Sequence, residues 1–356
     1  MNVPAGIAVA AIDASPAQRS VLIVDDSAVA RAVLSRMVEA MPGFGVAGAV
    51  GDCDAAFDIL RERRVDAILL DLEMPVTNGL TALPDLLRAG DGARILVVSS
   101  NCDEGGATAV QALALGAADT LVKPGIGAPA GRFHDVLRAR LLRLLDEPEG
   151  CPPLPAKVGP DEILDFDIVA IGASTGGIHA LTKLMRAIPD RLDLPILVTQ
   201  HLPASFMPYF AAQLAMLANR PCEVAHDLSR IKSGRILVAP GNAHLRCVRL
   251  SDGAAVRLIE TAAPSGCMPS VDPMLRSVAD VYGARALAVI LSGMGRDGCL
   301  GAKAVHRAGG IVAVQDQASS VVWGMPGSIV ADGHAHVVLR PEEIGAMIAR
   351  RRRPAC

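Results

Sequence analysis

Three aspartates follow the ends of short apolar runs in the first third of the chain. Asp25 and Asp26 come directly after VLIV at 21–24, and Asp71 comes directly after AILL at 67–70. If these runs are parallel strands, their carboxyl ends meet at one edge of a sheet, where ligands bind. Carboxylates that converge there repel one another and need a cation, and their oxygen atoms suit Mg²⁺.

A serine and a lysine occupy equivalent positions further along the chain. Ser99 follows the run ILVV at 95–98, and Lys123 ends the next predicted strand, before Pro124. A hydroxyl and a lysine beside bound Mg²⁺ suit a phosphoryl group. A single aspartate at a strand end is commonly a turn former or a helix cap. Five such residues at four strand ends favour a phosphoryl site instead.

Ser174 belongs to a second candidate site, the turn GASTGG at 172–177 between a predicted strand and a predicted helix. The pattern G-x-S-x-G is typical of a turn that displays a nucleophilic serine. A dinucleotide-binding loop would need G-x-G-x-x-G and an acidic residue about 20 positions later. Ser174 replaces its middle glycine and the next strand ends in Gln200 and His201, which argues against that reading. The remaining alternative is that Ser174 and Thr175 only cap the following helix.

A nucleophilic serine needs a base that takes its proton and a third group that orients the base. His201 directly follows the predicted strand PILVTQ, and Asp297 lies in SGMGRDG, the loop after the run ALAVIL. Three strand ends therefore bring a serine, a histidine and an aspartate to one sheet edge. Their order along the chain differs from that of α/β-hydrolases, so that fold is not implied. His244, near another strand end, is the alternative base. The other histidines are expected on helices or surface loops: His134, His179, His226, His306, His334 and His336.

Short apolar runs alternate with amphipathic segments through both halves of the chain. This alternation predicts βαβ units, so the expected fold class is α/β with two doubly wound parallel-sheet domains. Hydrophobic residues make up 51% of the chain, as expected for strands that are covered on both faces. No apolar run reaches the roughly 18 residues of a membrane-spanning helix, so we expect no insertion into a membrane.

The segment EPEGCPPLPAKVGPDE at 147–162 separates the two halves. Its prolines and glycines, and its lack of apolar periodicity, are typical of a linker. We predict an N-terminal tail, a first domain, a linker, a second domain and a C-terminal tail, at residues 1–19, 20–146, 147–164, 165–350 and 351–356.

Composition narrows the functional classes. A net charge of −3 and an aromatic content of 3% argue against nucleic acid as a partner. The eight cysteines are scattered without a C-x-x-C pair, so their spacing predicts neither a disulfide framework nor a zinc site. No basic residue precedes the N-terminal apolar stretch, which argues against a signal peptide. A reducing cytoplasm is the expected location.

Four motifs of the first domain follow its predicted strands: VDDS at 24–27, DLEMP at 71–75, VSS at 98–100 and VKP at 122–124. With these motifs the domain resembles the receiver domain of bacterial response regulators over about residues 20–125. The resemblance implies a flavodoxin-like domain in which Asp71 is phosphorylated by a CheA-type histidine kinase, while Asp25, Asp26 and Asp71 hold Mg²⁺.

The same resemblance implies roles for two further residues. Ser99 and Lys123 would bind the phosphoryl oxygens and report their presence. Thr120 stands where many receivers have an aromatic switch residue, three positions before the lysine.

The second domain contains six motifs: GASTGG at 172–177, QHLPASF at 200–206, APGNAH at 239–244, PSVDPMLRSVA at 269–279, LSGMGRDG at 291–298 and QDQASSVVWGMP at 315–326. With these motifs it resembles the catalytic domain of the CheB protein-glutamate methylesterase family over roughly 165–345. The resemblance implies a Rossmann-like domain with Ser174 as nucleophile, His201 as general base and acid, and Asp297 as the orienting carboxylate, without a cofactor for the ester chemistry.

Supporting groups and departures from the family pattern follow from the same comparison. Backbone N–H groups near Met294 are candidate oxyanion donors, and Thr175 offers a supporting hydroxyl. Cys267 and Met268 stand where the family usually has His-Arg or His-Lys, and Asn242 replaces an aspartate.

The implied activity is phosphorylation-activated hydrolysis of glutamyl methyl esters on the cytoplasmic helices of chemoreceptors, with release of methanol. Some members of the family also deamidate receptor glutamines. One alternative is a non-catalytic response regulator that acts by binding a partner or DNA. Another is the same esterase in a chemotaxis-like pathway that controls something other than motility.

Overall fold

The structure, a computed structural model, describes residues 18–75, 78–99, 105–123, 130–145, 165–190 and 192–351. The predicted linker at 147–162 and most of the two predicted tails lie outside these described residues.

The first domain alternates strands and helices as predicted. In chain order its elements are β1 (Arg19–Val24), α1 (Ala28–Glu39), β2 (Phe44–Val50), α2 (Cys53–Glu62), β3 (Ala67–Leu70), α3 (Gly79–Ala89), β4 (Arg94–Ser99), α4 (Gly105–Leu115), β5 (Asp119–Val122) and α5 (Ala130–Leu145).

These five strands form one parallel sheet in the order β2-β1-β3-β4-β5. From β1, the chain adds β2 on one side of the sheet and β3 on the other, so the strand order reverses between β1 and β3. Open α/β sheets bind ligands at such a switch point. Val24 lies opposite Leu70 in this pair. The residues that follow the two strands, Asp25 and Asp71, are therefore neighbours at the carboxyl edge.

The second domain is larger and begins with the strand that leads to Ser174. Its elements are β6 (Ile168–Ala173), α6 (Gly177–Arg186), β7 (Ile196–Gln200), α7 (Met207–Ala218), β8 (Cys222–Val224), β9 (Ile236–Val238), β10 (His244–Leu250), β11 (Gly253–Ile259), α8 (Val271–Tyr282), β12 (Ala286–Ile290), α9 (Cys299–Arg307), β13 (Ile311–Gln315), α10 (Gly324–Ala331), β14 (Val337–Leu339) and α11 (Pro341–Ala349), with short 3₁₀ turns at Ala204–Phe206 and Gly283–Arg285.

Seven of these strands form a parallel sheet in the order β14-β13-β12-β6-β7-β9-β8. Every residue of β6 and β12 is buried, as expected for central parallel strands. The predicted α/β fold class with two parallel sheets is confirmed. The strands β10 and β11 form an antiparallel hairpin that the sequence reading did not predict.

The central strand β6 has β7 on one side and β12 on the other. Ala173 lies opposite Gln200, and Gly172 lies opposite Ile290. Since the chain order reverses at β6, the switch point of this sheet lies where β6, β7 and β12 end.

The two domains contact each other through α4 of the first domain and α6 and α7 of the second. The backbone N–H of Gly176 donates to Ala118 O at 3.0 Å, and His179 Nδ1 lies 3.1 Å from Ala114 O. His179 was expected on a solvated helix surface, but it is half-buried in this interface because α4 covers that face of α6. Within the described part of the chain, no helix is both long enough and apolar enough to cross a membrane.

We expect Ile171→Ala to lower the free energy of unfolding of the second domain by about 2–5 kcal/mol, since deleting buried methyl groups leaves a cavity. Ile171 is fully buried in β6. Denaturant unfolding followed by the fluorescence of Trp323, the one tryptophan of the chain, reports on this domain. Met216→Ala is the control, because Met216 is 78% exposed and its loss should change stability by less than about 0.5 kcal/mol. Equal effects of the two changes would contradict this account of the core.

Candidate active site and phosphoryl site

Ser174 lies in a tightly packed turn at the end of β6. A Cβ on Gly172 would lie 2.4 Å from Val271 Cγ1, and one on Gly176 would lie 2.4 Å from Val321 Cβ. Gly176 also has a φ of +74°, which favours glycine. Gly176 is the N-cap residue of α6 and no side chain caps this helix. The interpretation of Ser174 as a mere helix cap is therefore wrong.

Ser174 and His201 are neighbours because β6 pairs with β7. His201 N donates to Ala173 O at 3.1 Å, and Gln200 Nε2 donates to Ser174 O at 2.9 Å. Both candidate residues line one cavity of about 710 Å³. The register of the two strands thus fixes where the serine and the histidine lie relative to each other.

Asp297 reaches the same cavity from the loop between β12 and α9. His201 Nε2 lies 2.8 Å from Asp297 Oδ2. This hydrogen bond places the proton of a neutral imidazole on Nε2 and leaves the lone pair on Nδ1. A histidine oriented in this way can accept a proton from a hydroxyl group.

The carboxylate of Asp297 is buried but well supplied with donors. Ser270 Oγ donates to Oδ1 at 2.6 Å, and Val271 N donates to Oδ2 at 2.8 Å. Burial raises the pKa of Asp297, but the hydrogen bonds from His201 and Ser270 outweigh it and hold this pKa below its ordinary value. Asp297 is therefore ionised at neutral pH and can orient His201.

His201 is a stronger base than an ordinary histidine. Burial lowers its pKa, but hydrogen bonds and charge interactions with Asp297 and Cys267 outweigh burial and raise the pKa of His201 to about 9. The interactions with Asp297 therefore stabilise the imidazolium that forms when His201 accepts a proton.

Met294 and Thr175 also line the cavity. A Cβ on Gly293 would lie 2.9 Å from Ser174 Cβ, so the backbone before Met294 passes directly beside the serine. Among the described residues, none accepts a hydrogen bond from the N–H of Met294. That amide is available to a developing oxyanion.

His244 does not compete with His201 for the role of base. Its side chain is fully buried. The N–H of Ser270 donates to His244 Nδ1 at 2.8 Å, and His244 Nε2 lies 2.8 Å from Thr261 O. Both ring nitrogens are engaged, so neither can take a proton from Ser174.

The first domain collects its acidic residues at the carboxyl edge of its sheet. Asp25 and Asp71 are buried, while Asp26 is exposed. Lys123 Nζ lies 2.8 Å from Asp25 Oδ2 and 2.7 Å from Asp71 Oδ2. Burial, together with the charge of Asp25, raises the pKa of Asp71 even though Lys123 opposes the shift.

This acidic cluster fits Mg²⁺. Asp25, Asp26 and Asp71 offer carboxylate oxygens that all lie within 4.8 Å of one another, and Mg²⁺ prefers oxygen ligands. Such an ion would lower the repulsion between the two buried carboxylates.

The other predicted phosphoryl-site residues lie at the same edge. Ser99 is buried at the end of β4, and the N–H of Lys123 donates to Ser99 O at 2.7 Å. Thr120 lies in β5, opposite Val97 of β4. It is half-buried.

Residues of the first domain cover part of the cavity that contains Ser174. Ala117 and Ala118 line it, as do Asp119 of β5 and Arg140 of α5. Arg140 forms an ion pair with Asp119. The cavity thus lies between the two domains.

Comparison with known proteins assigns each half of the chain. Residues 169–348 match the family model described as CheB methylesterase, and residues 21–128 match that of the response regulator receiver domain. The chain belongs to the CheB methylesterase family.

Relatives and a solved structure agree with this assignment. A protein-glutamate methylesterase/protein-glutamine glutaminase of Rhodospirillum centenum is 36% identical over 93% of both chains. One from Pseudomonas aeruginosa is 37% identical over 92% of this chain and 95% of its own. The crystal structure of the Thermotoga maritima CheB methylesterase catalytic domain is 33% identical, has a TM-score of 0.51 and covers 52% of this chain and 98% of its own.

Three residues of this CheB site were missed or left without a role by the sequence reading. Ser270 donates a hydrogen bond to the carboxylate of Asp297, and Gln200 donates one to the backbone carbonyl of Ser174. Cys267 lies beside His201 and raises its pKa. Ser270 and Cys267 lie in the stretch around PSVD at 269–272, so its polar residues were the available signal.

We expect His201 to titrate near pH 9 and Cys267→Ala to move this titration to lower pH, because the substitution removes one of the two partners that raise the pKa. An NMR titration of the His201 ring protons measures this directly, with His201→Ala for assignment. Cys222→Ala is the control, since Cys222 lies in β8, outside the cavity. An unchanged His201 titration in Cys267→Ala would contradict the assigned cause.

Proposed function

We propose that this CheB-family enzyme hydrolyses glutamyl methyl esters on chemoreceptor cytoplasmic domains and that phosphorylation of its receiver domain activates it. The observation that carries the proposal is the 2.8 Å contact between His201 Nε2 and Asp297 Oδ2, in the cavity that Ser174 lines. Because the methyl esters are on the cytoplasmic domains of the receptors, the reaction would take place in the cytoplasm.

The first half of the reaction forms an acyl-enzyme. Ser174 Oγ attacks the ester carbonyl carbon while His201 Nδ1 takes the hydroxyl proton. The carbonyl oxygen becomes an oxyanion beside the N–H of Met294, and Asp297 stabilises the imidazolium. When the carbon–oxygen bond to the methoxy group breaks, His201 returns the proton and methanol leaves.

Water completes the reaction. His201 takes a proton from water, which attacks the acyl carbon and restores the Ser174 hydroxyl and a free glutamate carboxylate. A receptor glutamine would react through the same steps, with ammonia in place of methanol. Because the relatives are named methylesterase/glutaminase, we include deamidation in the proposal.

The receiver domain would supply the control. Asp71 would accept a phosphoryl group from the phosphohistidine of a CheA-type kinase, with Mg²⁺ held by Asp25, Asp26 and Asp71. The ion supplies positive charge to the phosphoryl oxygens. Lys123 Nζ, 2.7 Å from Asp71 Oδ2, and the Ser99 hydroxyl would bind the same oxygens.

The unphosphorylated receiver domain would inhibit the esterase by covering its cavity. Ala118 O holds Gly176 N at 3.0 Å, two residues from Ser174, and Arg140 lines the cavity from the receiver side. A receptor helix needs this edge to be open. Phosphorylation that weakens the domain contact would therefore raise activity.

A purely binding response regulator is the competing functional class. It would need no paired base and carboxylate beside a displayed serine. The choice between a motility pathway and another chemotaxis-like pathway depends on the kinase that phosphorylates Asp71, which phosphotransfer assays with candidate kinases would identify.

We expect Ser174→Ala to lower methanol release from methylated receptor membranes about a thousandfold or more, since no other group forms the acyl-enzyme. Methanol is measured directly from radiolabelled methyl esters. Ser251→Ala, which changes an exposed serine in a turn, should retain full activity. Equal release by wild type and Ser174→Ala would refute the esterase proposal and favour the binding class.

We expect His179→Ala to raise the esterase activity of the unphosphorylated chain about two- to tenfold. The substitution removes one hydrogen bond between the domains, worth about 0.5–1.5 kcal/mol. Methanol release is measured in an Asp71→Asn background that cannot be phosphorylated. His226→Ala, at an exposed histidine, is the control.

Methanol release by a fragment of residues 165–356, which lacks the receiver domain, gives the upper limit of the increase in esterase activity. Inhibition by the receiver domain is wrong if neither His179→Ala nor the fragment exceeds the activity of the unphosphorylated parent.

A further inference from the structure

A cysteine stands beside the base of the candidate active site. Cys267 lies in the loop before α8 and lines the same cavity as Ser174 and His201. It is half-buried, and its Sγ lies 3.8 Å from Ser265 O, which is a weak contact. The thiol is accessible from the cavity, and the esterase mechanism does not use it.

Cys267 completes a group of three metal-binding side chains. One ligand atom each from His201, Cys267 and Asp297 lie within 4.8 Å of one another. Nitrogen, sulfur and carboxylate oxygen are the ligands that Zn²⁺ takes in proteins. The cluster in the receiver domain offers oxygen atoms alone, which suit Mg²⁺ instead.

We propose that His201, Cys267 and Asp297 form a Zn²⁺ site and that zinc bound there blocks the esterase. The inhibition rests on the proposed function, whereas the binding does not.

The separation between His201 and Asp297 is close to what the ion requires. With zinc bonds of about 2.0–2.3 Å, tetrahedral ligand atoms lie about 3.4–3.6 Å apart. His201 Nε2 and Asp297 Oδ2 are now 2.8 Å apart, so an ion in place of their shared proton needs a widening of about 0.6 Å. The fourth position would face the cavity and hold water.

Binding removes the base from the reaction. The Cys267 thiol releases its proton as the sulfur–zinc bond forms. If zinc binds Nε2 of His201, the imidazole proton moves to Nδ1; if it binds Nδ1, that lone pair is used directly. In either case no nitrogen remains to take the proton of Ser174.

The first test measures metal binding by the full chain, independent of activity. Cys102, Cys151 and Cys356 are replaced by serine in the parent, because they lie outside the described residues. Titration with Co²⁺ should produce thiolate-to-cobalt charge-transfer absorption, and calorimetry with Zn²⁺ gives the affinity. We expect Cys267→Ser and Cys267→Ala to abolish the absorption and to weaken zinc binding at least tenfold.

Cys222→Ser is the matched control, a half-buried cysteine of the same domain outside the cavity, and it should bind as the parent does. Trp323 fluorescence during unfolding checks that each variant is folded. Parent-like zinc affinity and cobalt absorption in both Cys267 variants would overturn the site.

The second test measures methanol release with and without Zn²⁺. The rate of each variant with Zn²⁺ is compared with the rate of the same variant in the presence of a chelator. Zinc should inhibit the parent and Cys222→Ser but not Cys267→Ser at the same concentration. Zinc that binds through Cys267 without inhibition would overturn the inhibitory role. A parent without esterase activity in chelator would instead refute the proposed function, while the binding result would stand.

Discussion

The second domain depends on a buried negative charge at Asp297. An isolated carboxylate would be costly there, but Ser270 Oγ, Val271 N and His201 Nε2 all donate to it. Ser270 and Val271 lie at the start of α8, and His201 directly follows β7. The Asp297 carboxylate thus fixes the relative positions of segments far apart in sequence. The same set of hydrogen bonds orients His201.

The register of the parallel strands determines where this carboxylate can act. Because β6 is flanked by β7 and β12, the loops after all three strands meet at one edge. The receiver sheet uses the same arrangement, with Asp25 and Asp71 after β1 and β3. Both domains therefore place reactive groups where the direction of sheet growth reverses, although their strand orders differ.

Much of this arrangement could be predicted from the sequence, because parallel strands are short buried runs and their next residues share an edge. Ser174, His201 and Asp297 were found in this way. The hairpin β10–β11, the burial of His179 and the closeness of Cys267 to His201 were not. These features arise from contacts between segments that are far apart in sequence, and the local pattern of residues does not show which distant segments meet. For the same reason the cysteine spacing gave no sign of a metal site.

The strand β5 has contacts of two kinds at its two ends. Beyond its carboxyl end, Lys123 lies against Asp25 and Asp71; before its amino end, Ala118 O accepts the hydrogen bond from Gly176 N. Four residues lie between Ala118 and Lys123, so the two contacts are five rises apart, about 16–17 Å at the usual rise of a strand. An extended strand hardly changes its length, so a displacement of Lys123 along the axis of β5 is carried to Ala118 almost undiminished. β5 thus joins the contacts of Lys123 with Asp25 and Asp71 to the turn of Ser174.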